Sequence, residues 1–294
     1  MDRTKIFSAL IALAVLCGCS GSRTNQVVVG SKNFTEQVVL GEIVAQHLER
    51  RLQLKIDRKL NLGGTLLAHQ ALLSGGIDLY PEYTGTALTV VLKDTIATDP
   101  KTVLARVRSE YLRRFQVAML DPLGIDNGFA MVVRGEDARA HHLETLSDAA
   151  KTPGGWDLGA GYEFQQRPDG LAALRNTYNL TWKSSPHSMD LGLLYKAMEQ
   201  KQVSMIAANA TDGMLSKLDL KVLQDDKHAF PPYEVCVVVR EERLRATPGL
   251  KEALQELSGK FTNRKMQELN QQVDGQHRAV AEVAAEFLKG AVAP

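Results

Sequence analysis

Lys32, Arg167 and a few tyrosines are the side chains of this sequence best suited to chemistry, and the chemistry they suit is recognition rather than bond making. Lys32 follows a β-branched run and a glycine, in Val27-Val28-Val29-Gly30-Ser31-Lys32. An ammonium there serves as a catalytic amine or as a clamp for an anion. Nothing nearby in the sequence is arranged to lower its pKa, so the clamp is the better use of the charge. Arg167 lies near Glu163 and Asp169, which leaves open a ligand contact or a surface ion pair worth ~0–1 kcal/mol. Tyr80 and Tyr83, close together near a strand end, read equally well as packing residues. No P-loop, helical zinc-binding His pair, Cys pair at metal spacing or nucleophile elbow occurs. The adjacent His141 and His142 would point different ways on a helix and to opposite faces of a strand, which disfavours a metal site. Gly30 and Gly63-Gly64 follow strands without completing a dinucleotide fingerprint. An enzyme is therefore a weak reading of this chain, and no motif asks for a cofactor.

Composition agrees. The 294 residues are 44% hydrophobic and 23% charged, enough for one large core or two modest ones. Lys and Arg total 35 against 34 Asp and Glu, so no basic face for a nucleic-acid backbone is advertised. Aromatic residues are only 6%, so a cluster of rings has to be assembled from few candidates.

The elements that must position these residues alternate short β-branched runs with helical patterns from residue 27 onward, the signature of parallel α/β layers. Val27 to Val29 reads as a strand and Thr35 to Arg51 as a helix with Val38, Leu40, Ile43, Val44 and Leu48 on its apolar face. Ile56 to Leu60 is a second strand, Gly64-Thr65 opens a helix through Leu73, and Gly75 to Tyr80 is a third strand. It runs into Pro81-Glu82-Tyr83-Thr84-Gly85-Thr86 and a further helix; such strand ends are where open α/β sheets bind ligands. The grammar recurs with a strand at Trp156 to Ala160, helices at Arg167 to Tyr178 and Asp190 to Gln200, and a strand at Val203 to Ala208 leading into a loop and helix. Two lobes follow, with Phe129 to Arg134 and Glu234 to Arg240 as candidate crossover strands. Pro248 to Leu257, Asn263 to Gln271 and Ala279 to Leu288 are helical and would cap the first lobe.

Four stretches in order, Val28 to Gln37, Arg58 to Thr65, Asp78 to Thr86 and Asp225 to Tyr233, resemble the osmoprotectant-binding proteins of bacterial ABC importers, the glycine betaine, carnitine and choline receptors. The resemblance spans about residues 27 to 290. It implies an α/β, two-lobed periplasmic-binding-protein fold of type II-like form, with a ligand cleft between lobes joined by crossover strands. Lobe 1 would comprise residues 27–125 and 231–294, and lobe 2 residues 126–230. The lobes would close on a quaternary ammonium compound and deliver it to membrane permease subunits served by a separate ATPase.

A trimethylammonium has no N–H to donate and is held instead by aromatic faces, each worth ~0.5–2 kcal/mol. The resemblance places cage rings at Tyr83, Tyr233 and Phe129, with Asn127 beside Phe129 offering its backbone carbonyl to the methyl groups. The fourth wall falls at Asn209, where this chain departs from the aromatic pattern. The carboxylate of a betaine would meet Lys32, Thr86 and Arg167. An intact clamp beside a cage short of one wall implies a zwitterion whose cationic end is larger than that of glycine betaine: carnitine, proline betaine or ergothioneine. Choline, without a carboxylate, suits less well, and another nitrogenous or amino-acid-like ligand is the alternative.

The N-terminal segment lies outside this fold. Arg3 and Lys5 precede an apolar run from Ile6 to Leu16, too short for a bilayer needing ~20 residues and of the length of a secretory signal. Gly18-Cys19 resembles the end of a bacterial lipobox, which implies a signal peptide over 1–18, lipidation of Cys19 and a tether over 19–26. The expectation is an exported lipoprotein, periplasmic or at the cell surface. Removal of residues 1–18 would leave 33 basic and 33 acidic residues. Cys236, inside an apolar strand-like run, reads as a buried structural cysteine.

Overall fold

The computed structural model describes residues 26–291. The signal sequence expected over 1–18, Cys19 as the lipid anchor and the tether up to residue 25 lie outside the described residues. Ten described strands form two sheets of five: β1 Val27–Gly30, β2 Ile56–Lys59, β3 Leu79–Tyr83, β4 Val117–Met119, β5 Phe129–Arg134, β6 Leu158–Ala160, β7 His187–Ser188, β8 Met205–Asn209, β9 Leu220–Leu223 and β10 Val235–Arg240. The first sheet has the order β2-β1-β3-β10-β4 and the second β7-β6-β8-β5-β9. In each, a parallel triplet meets an antiparallel strand that follows a passage of the chain between the sheets, then a last strand at the edge. The sheets are therefore mixed rather than purely parallel, because the two passages oblige β5 and β10 to run against their neighbours.

Alternation sorts the core. Val235, Val237 and Val239 of β10 join Val27 and Val29 on one face of the first sheet, while Cys236 and Val238 join Val28 and Tyr80 on the other. Cys236 is fully buried there and burial pushes its thiol pKa up, which makes it a packing residue. In the second sheet Met131 and Val133 face one cluster and Ala130 and Val132 the other.

The helices of the first sheet begin with α1 (Thr35–Leu52) and α2 (Thr65–Leu73). They continue with α3 (Thr84–Thr86), which runs into a π-turn over Ala87–Val91, and α4 (Pro100–Phe115). On α1 Val39 rather than Val38 completes the buried face with Leu40, Ile43, Val44 and Leu48. The second sheet carries α5 (Gly135–His141), α6 (Leu146–Lys151), α7 (Tyr162–Gln166), α8 (Ala173–Thr177) and α9 (Leu194–Glu199). After β10 come α10 (Glu241–Ala246), α11 (Leu250–Gln255), α12 (Asn263–Asp274) and α13 (Val280–Ala291); α11 to α13 pack against α1 over one face of the first sheet.

Three of the boundaries that differ from the sequence reading shape the cleft. The third strand starts at Leu79, not Gly75, and includes Pro81-Glu82-Tyr83. The carboxylate of Asp78 accepts the Val28 amide at 2.9 Å just ahead of the strand, and Val235 to Val239 pair with β3 out to Tyr83. The single helix expected over Arg167 to Tyr178 is broken. Arg167 is extended (φ −75°, ψ 142°) because the ring of Pro168 excludes the α conformation from the residue before it. A π-turn over Pro168–Ala172 then kinks at Gly170. Finally, the helix expected after Asn209 is only a 3-10 turn, Gly213–Ser216.

The chain passes between the sheets twice, and the two passages pair side by side. Asp126 bridges Glu234, the Asn127 amide donates to the Tyr233 carbonyl at 3.1 Å and the Val235 amide to the Ile125 carbonyl at 2.9 Å. This short antiparallel strap is the floor of the space between the sheets.

Candidate functional site

A cleft of about 500 Å³ opens between the two sheets. Lys32, Tyr83, Thr86, Asn127, Phe129, Arg167, Asn209 and Tyr233, the eight residues singled out from sequence, all line it. Strand ends deliver most of them: Lys32 follows β1, Tyr83 closes β3, and Thr86 lies just beyond it in α3. Phe129 opens β5 directly opposite Asn209, the last residue of β8. Tyr233 precedes β10, whose first residue pairs with Tyr83. Arg167 enters from the break imposed by Pro168.

Both cations of the cleft are held by acids of the chain itself. Lys32 Nζ donates to Glu82 Oε1 at 2.5 Å and to Thr65 Oγ1 at 3.0 Å, and lies 4.9 Å from the centre of the Tyr83 ring. An ammonium has three N–H groups, so one remains for a ligand. Arg167 donates from Nε and Nη2 to Asp169 at 2.9 and 2.6 Å and from Nη2 to Thr86 Oγ1 at 3.0 Å, while Nη1 stands 3.9 Å from Glu163 Oε2. Arg167 thus forms an ion pair with Asp169, but a buried one that lines the cleft rather than one on the surface. Burial pushes the Asp169 carboxyl upward, but Arg167, Tyr233 and Thr89 outweigh it and hold the pKa below the ordinary range. Tyr233 donates its hydroxyl to Asp169 at 2.8 Å, and Thr89 does the same from the first lobe.

The rings form two groups. Phe129 meets Tyr233 at 5.6 Å, Phe164 at 4.8 Å and Phe230 at 5.6 Å, all edge to face, with the Arg167 guanidinium 4.9 Å from its centre. On the facing side Phe34 stacks on Tyr83 with centroids 6.2 Å apart. Behind Tyr83 lies Glu36. Its Oε1 accepts the Tyr83 hydroxyl at 2.7 Å and the Asn127 amide at 2.9 Å, and its Oε2 accepts the Thr211 hydroxyl at 2.5 Å. Burial raises the Glu36 pKa despite these three donors. The Asn127 side chain is therefore spent on Glu36 and, through its Oδ1, on the Thr211 amide at 3.1 Å. Asn209 donates from its backbone to Asp212 at 3.1 Å, and Asp212 also accepts the Tyr195 hydroxyl at 2.8 Å. Burial holds the Asp212 pKa above its ordinary value.

Phe34, Glu36, Glu82, Glu163 and Asp169 belong to this site and were not picked out as site residues from sequence. Phe34, Glu36 and Glu82 lie inside motifs already noted, and Glu163 and Asp169 are four and two residues from Arg167, but apart from those two and the local contacts of Glu82 their pairings span 47 residues or more of chain. Among the described residues no group of three or more His, Cys, Asp or Glu could hold a metal ion. The arrangement offers fixed donors, cations and aromatic faces around one cleft, which is equipment for holding a small polar molecule with a cationic and an anionic end.

The family described as the substrate binding domain of an ABC-type glycine betaine transport system matches residues 25–290. The chain belongs to this family. A fellow member, a carnitine transport binding protein of Listeria monocytogenes, is 32% identical over 284 residues, covering 96% of this chain and 92% of its own length. A Helicobacter pylori protein described as an ergothioneine transport permease and ergothioneine binding protein is 35% identical over 264 residues, 90% of this chain. The chain spans 47% of that relative, about half its length. A crystal structure of a glycine betaine/carnitine/choline ABC transporter superposes with a TM-score of 0.78 at 32% identity, covering 90% of this chain and 97% of the other. The two sheets are thus the two lobes of a periplasmic-binding-protein fold, and the chain is a substrate-binding component of an ABC importer, a transport family rather than an enzyme family. No described helix is long and apolar enough to cross a membrane.

Proposed function

We propose that this protein is the extracytoplasmic receptor of an ABC importer that captures a betaine-type zwitterion in the cleft and presents it to permease subunits driven by a separate ATPase. Residues 27–125 and 231–294 form one lobe of this receptor and 126–230 the other, with Cys19 tethering it to a membrane through lipid. The quaternary ammonium lies against Tyr83, Phe129 and Tyr233, and the carboxylate is taken by Lys32, Thr86 and Arg167. The observation that carries the reading is the meeting, on one cleft, of rings from three distant segments with the remaining donors of those two cations. A second reading, an ergothioneine-like or other nitrogenous zwitterion, is favoured by Asn209. It stands where the aromatic wall is interrupted and brings amide hydrogen-bonding capacity to a bulkier head group, and a relative binding ergothioneine is 35% identical.

Calorimetric titration with glycine betaine, carnitine, proline betaine, choline and ergothioneine separates the readings. Tyr83→Ala and Tyr233→Ala are each expected to weaken the preferred ligand at least ~10-fold, from ~0.5–2 kcal/mol per aromatic face plus lost packing. Absence of heat with all five ligands sinks the proposal, and unchanged affinity in both variants removes the cage from this place.

A further inference from the structure

One carboxylate of the cleft has no part in that reading. Glu163, in the first turn of α7, reaches from the second lobe to the first, where its Oε1 accepts the Thr65 amide at 3.1 Å. Its Oε2 faces Nη1 of Arg167 at 3.9 Å, too far for a hydrogen bond. Helix α2 starts at this point with Gly64 as its N-cap, which has no side chain to satisfy the first amides. Glu163 supplies that cap from 98 residues away. Glycine at 64 is what admits it, since a Cβ there would stand 2.2 Å from Oε1. The hydroxyl of Thr65, meanwhile, accepts from Lys32. The Glu163 carboxylate thus sits where a helix N-terminus, the one terminal nitrogen of Arg167 not bound to Asp169 or Thr86, and Lys32 one hydroxyl away converge. Arg167 itself is nearly buried, with 11% of its side chain exposed. Glu82 and Asp169 are fully buried against their cations and cannot leave without stranding a charge. Glu163, with 49% of its side chain exposed, is the acid able to yield.

We infer that Glu163 is a specificity-determining residue of the cleft: its carboxylate stands in for the anionic group of a bound zwitterion and swings out when the ligand's carboxylate takes the Thr65 amide and Arg167 Nη1. This rests on the zwitterion reading. Glu163 is then an internal competitor that lowers affinity for carboxylate-bearing ligands and leaves a cation without a carboxylate, such as choline, undisturbed or favoured.

The test titrates glycine betaine, carnitine and choline into the full chain, Glu163→Gln and Glu163→Ala. In parallel, acetate is titrated into the same three proteins while the Thr65 amide is followed by nuclear magnetic resonance. Neutralising Glu163 is expected to raise affinity for the two zwitterions by about twofold to fivefold, the range of one charge at a helix N-terminus, without raising that for choline. Acetate is expected to shift the Thr65 amide in Glu163→Ala and to leave it in place in the unaltered chain. A fall in affinity for the zwitterions in Glu163→Gln makes the residue a latch rather than a competitor and overturns the inference. So does a Thr65 amide equally insensitive to acetate in all three proteins. If the unaltered chain binds none of the three, nor proline betaine or ergothioneine, the zwitterion reading fails by itself, and the acetate arm still decides whether Glu163 holds a carboxylate position.

Discussion

Glu36 is buried completely, yet it touches both lobes and the passage between them, through Tyr83, Thr211 and Asn127. A carboxylate in that position gains three hydrogen bonds and loses its water; burial is the larger effect, and the pKa rises. Between the ordinary glutamate value of 4.5 and the raised one, the folded chain keeps a proton that the unfolded chain has released. The stability contributed by Glu36 is therefore complete at acid pH and declines as pH rises through that window. Glu36→Gln keeps the shape and removes the titration, with the Thr211 hydroxyl able to accept from the new amide. Denaturant unfolding at a series of pH values is expected to show the natural chain losing stability relative to Glu36→Gln from about pH 4.5 upward; parallel pH curves for the two would remove Glu36 from this role. Because Glu36 also holds the Tyr83 hydroxyl, the same residue sets the ring that the proposed ligand would meet.

At the scale of elements, local breaks place the site. Pro168 turns Arg167 out of the helical pattern and into the cleft, a consequence readable from the dipeptide but overridden, in a periodicity reading, by the apolar spacing from Arg167 to Tyr178. The prolonged β3 puts Tyr83 at a strand end, and Gly85 beyond it is needed because a Cβ would stand 2.6 Å from the Pro232 carbonyl. Elements that contribute no lining residue to the cleft are expected to act on stability alone. Helix α4 is opened by Asp99, whose carboxylate accepts the Thr102 amide at 2.8 Å, and is held by Val103, Val107 and Tyr111 in the core on the other face of the first sheet from α1. Asp99→Ala removes this cap and is expected to lower the melting temperature by about 2–4 °C. Ligand affinity, measured by calorimetry, should not change; a shift in affinity would mean that α4 communicates with the cleft.

The whole molecule is two lobes of matching strand order joined by one paired strap, an arrangement suited to hinge motion. The lobes are also fastened beyond the strap: Gln267 and Asn270 of α12 donate to the carbonyls of Ala210 and Thr211 in the second lobe. Opening the cleft has to break Thr65 to Glu163, Thr86 to Arg167, and both Thr89 and Tyr233 to Asp169. A receptor that works beside a permease gains from staying near the membrane, and Cys19 is the proposed anchor. Labelled fatty acid is expected to enter the natural chain in cells and not Cys19→Ala, with the variant released from membranes; equal labelling of both would exclude Cys19.

The sequence by itself determined the α/β class, the two half-repeats, the family and the eight side chains that meet on the cleft. The class and the half-repeats are written in local alternation and turn residues; the family and the eight side chains came through the resemblance that contiguous motifs carry. Only the tertiary structure decided how those side chains are engaged: that Lys32 and Arg167 each arrive with a buried acid, that Asn127 serves Glu36, and that Glu163 crosses from the other lobe. Lys32 meets Glu82 across 50 residues, Glu163 meets Thr65 across 98 and Glu36 meets Thr211 across 175. Hydrogen bonds over such distances depend on how the sheets are stacked and strapped together, and no local pattern of residue types encodes them. From sequence only Arg167 had acids beside it; folded, Lys32 and Arg167 are both balanced by buried carboxylates of the protein itself.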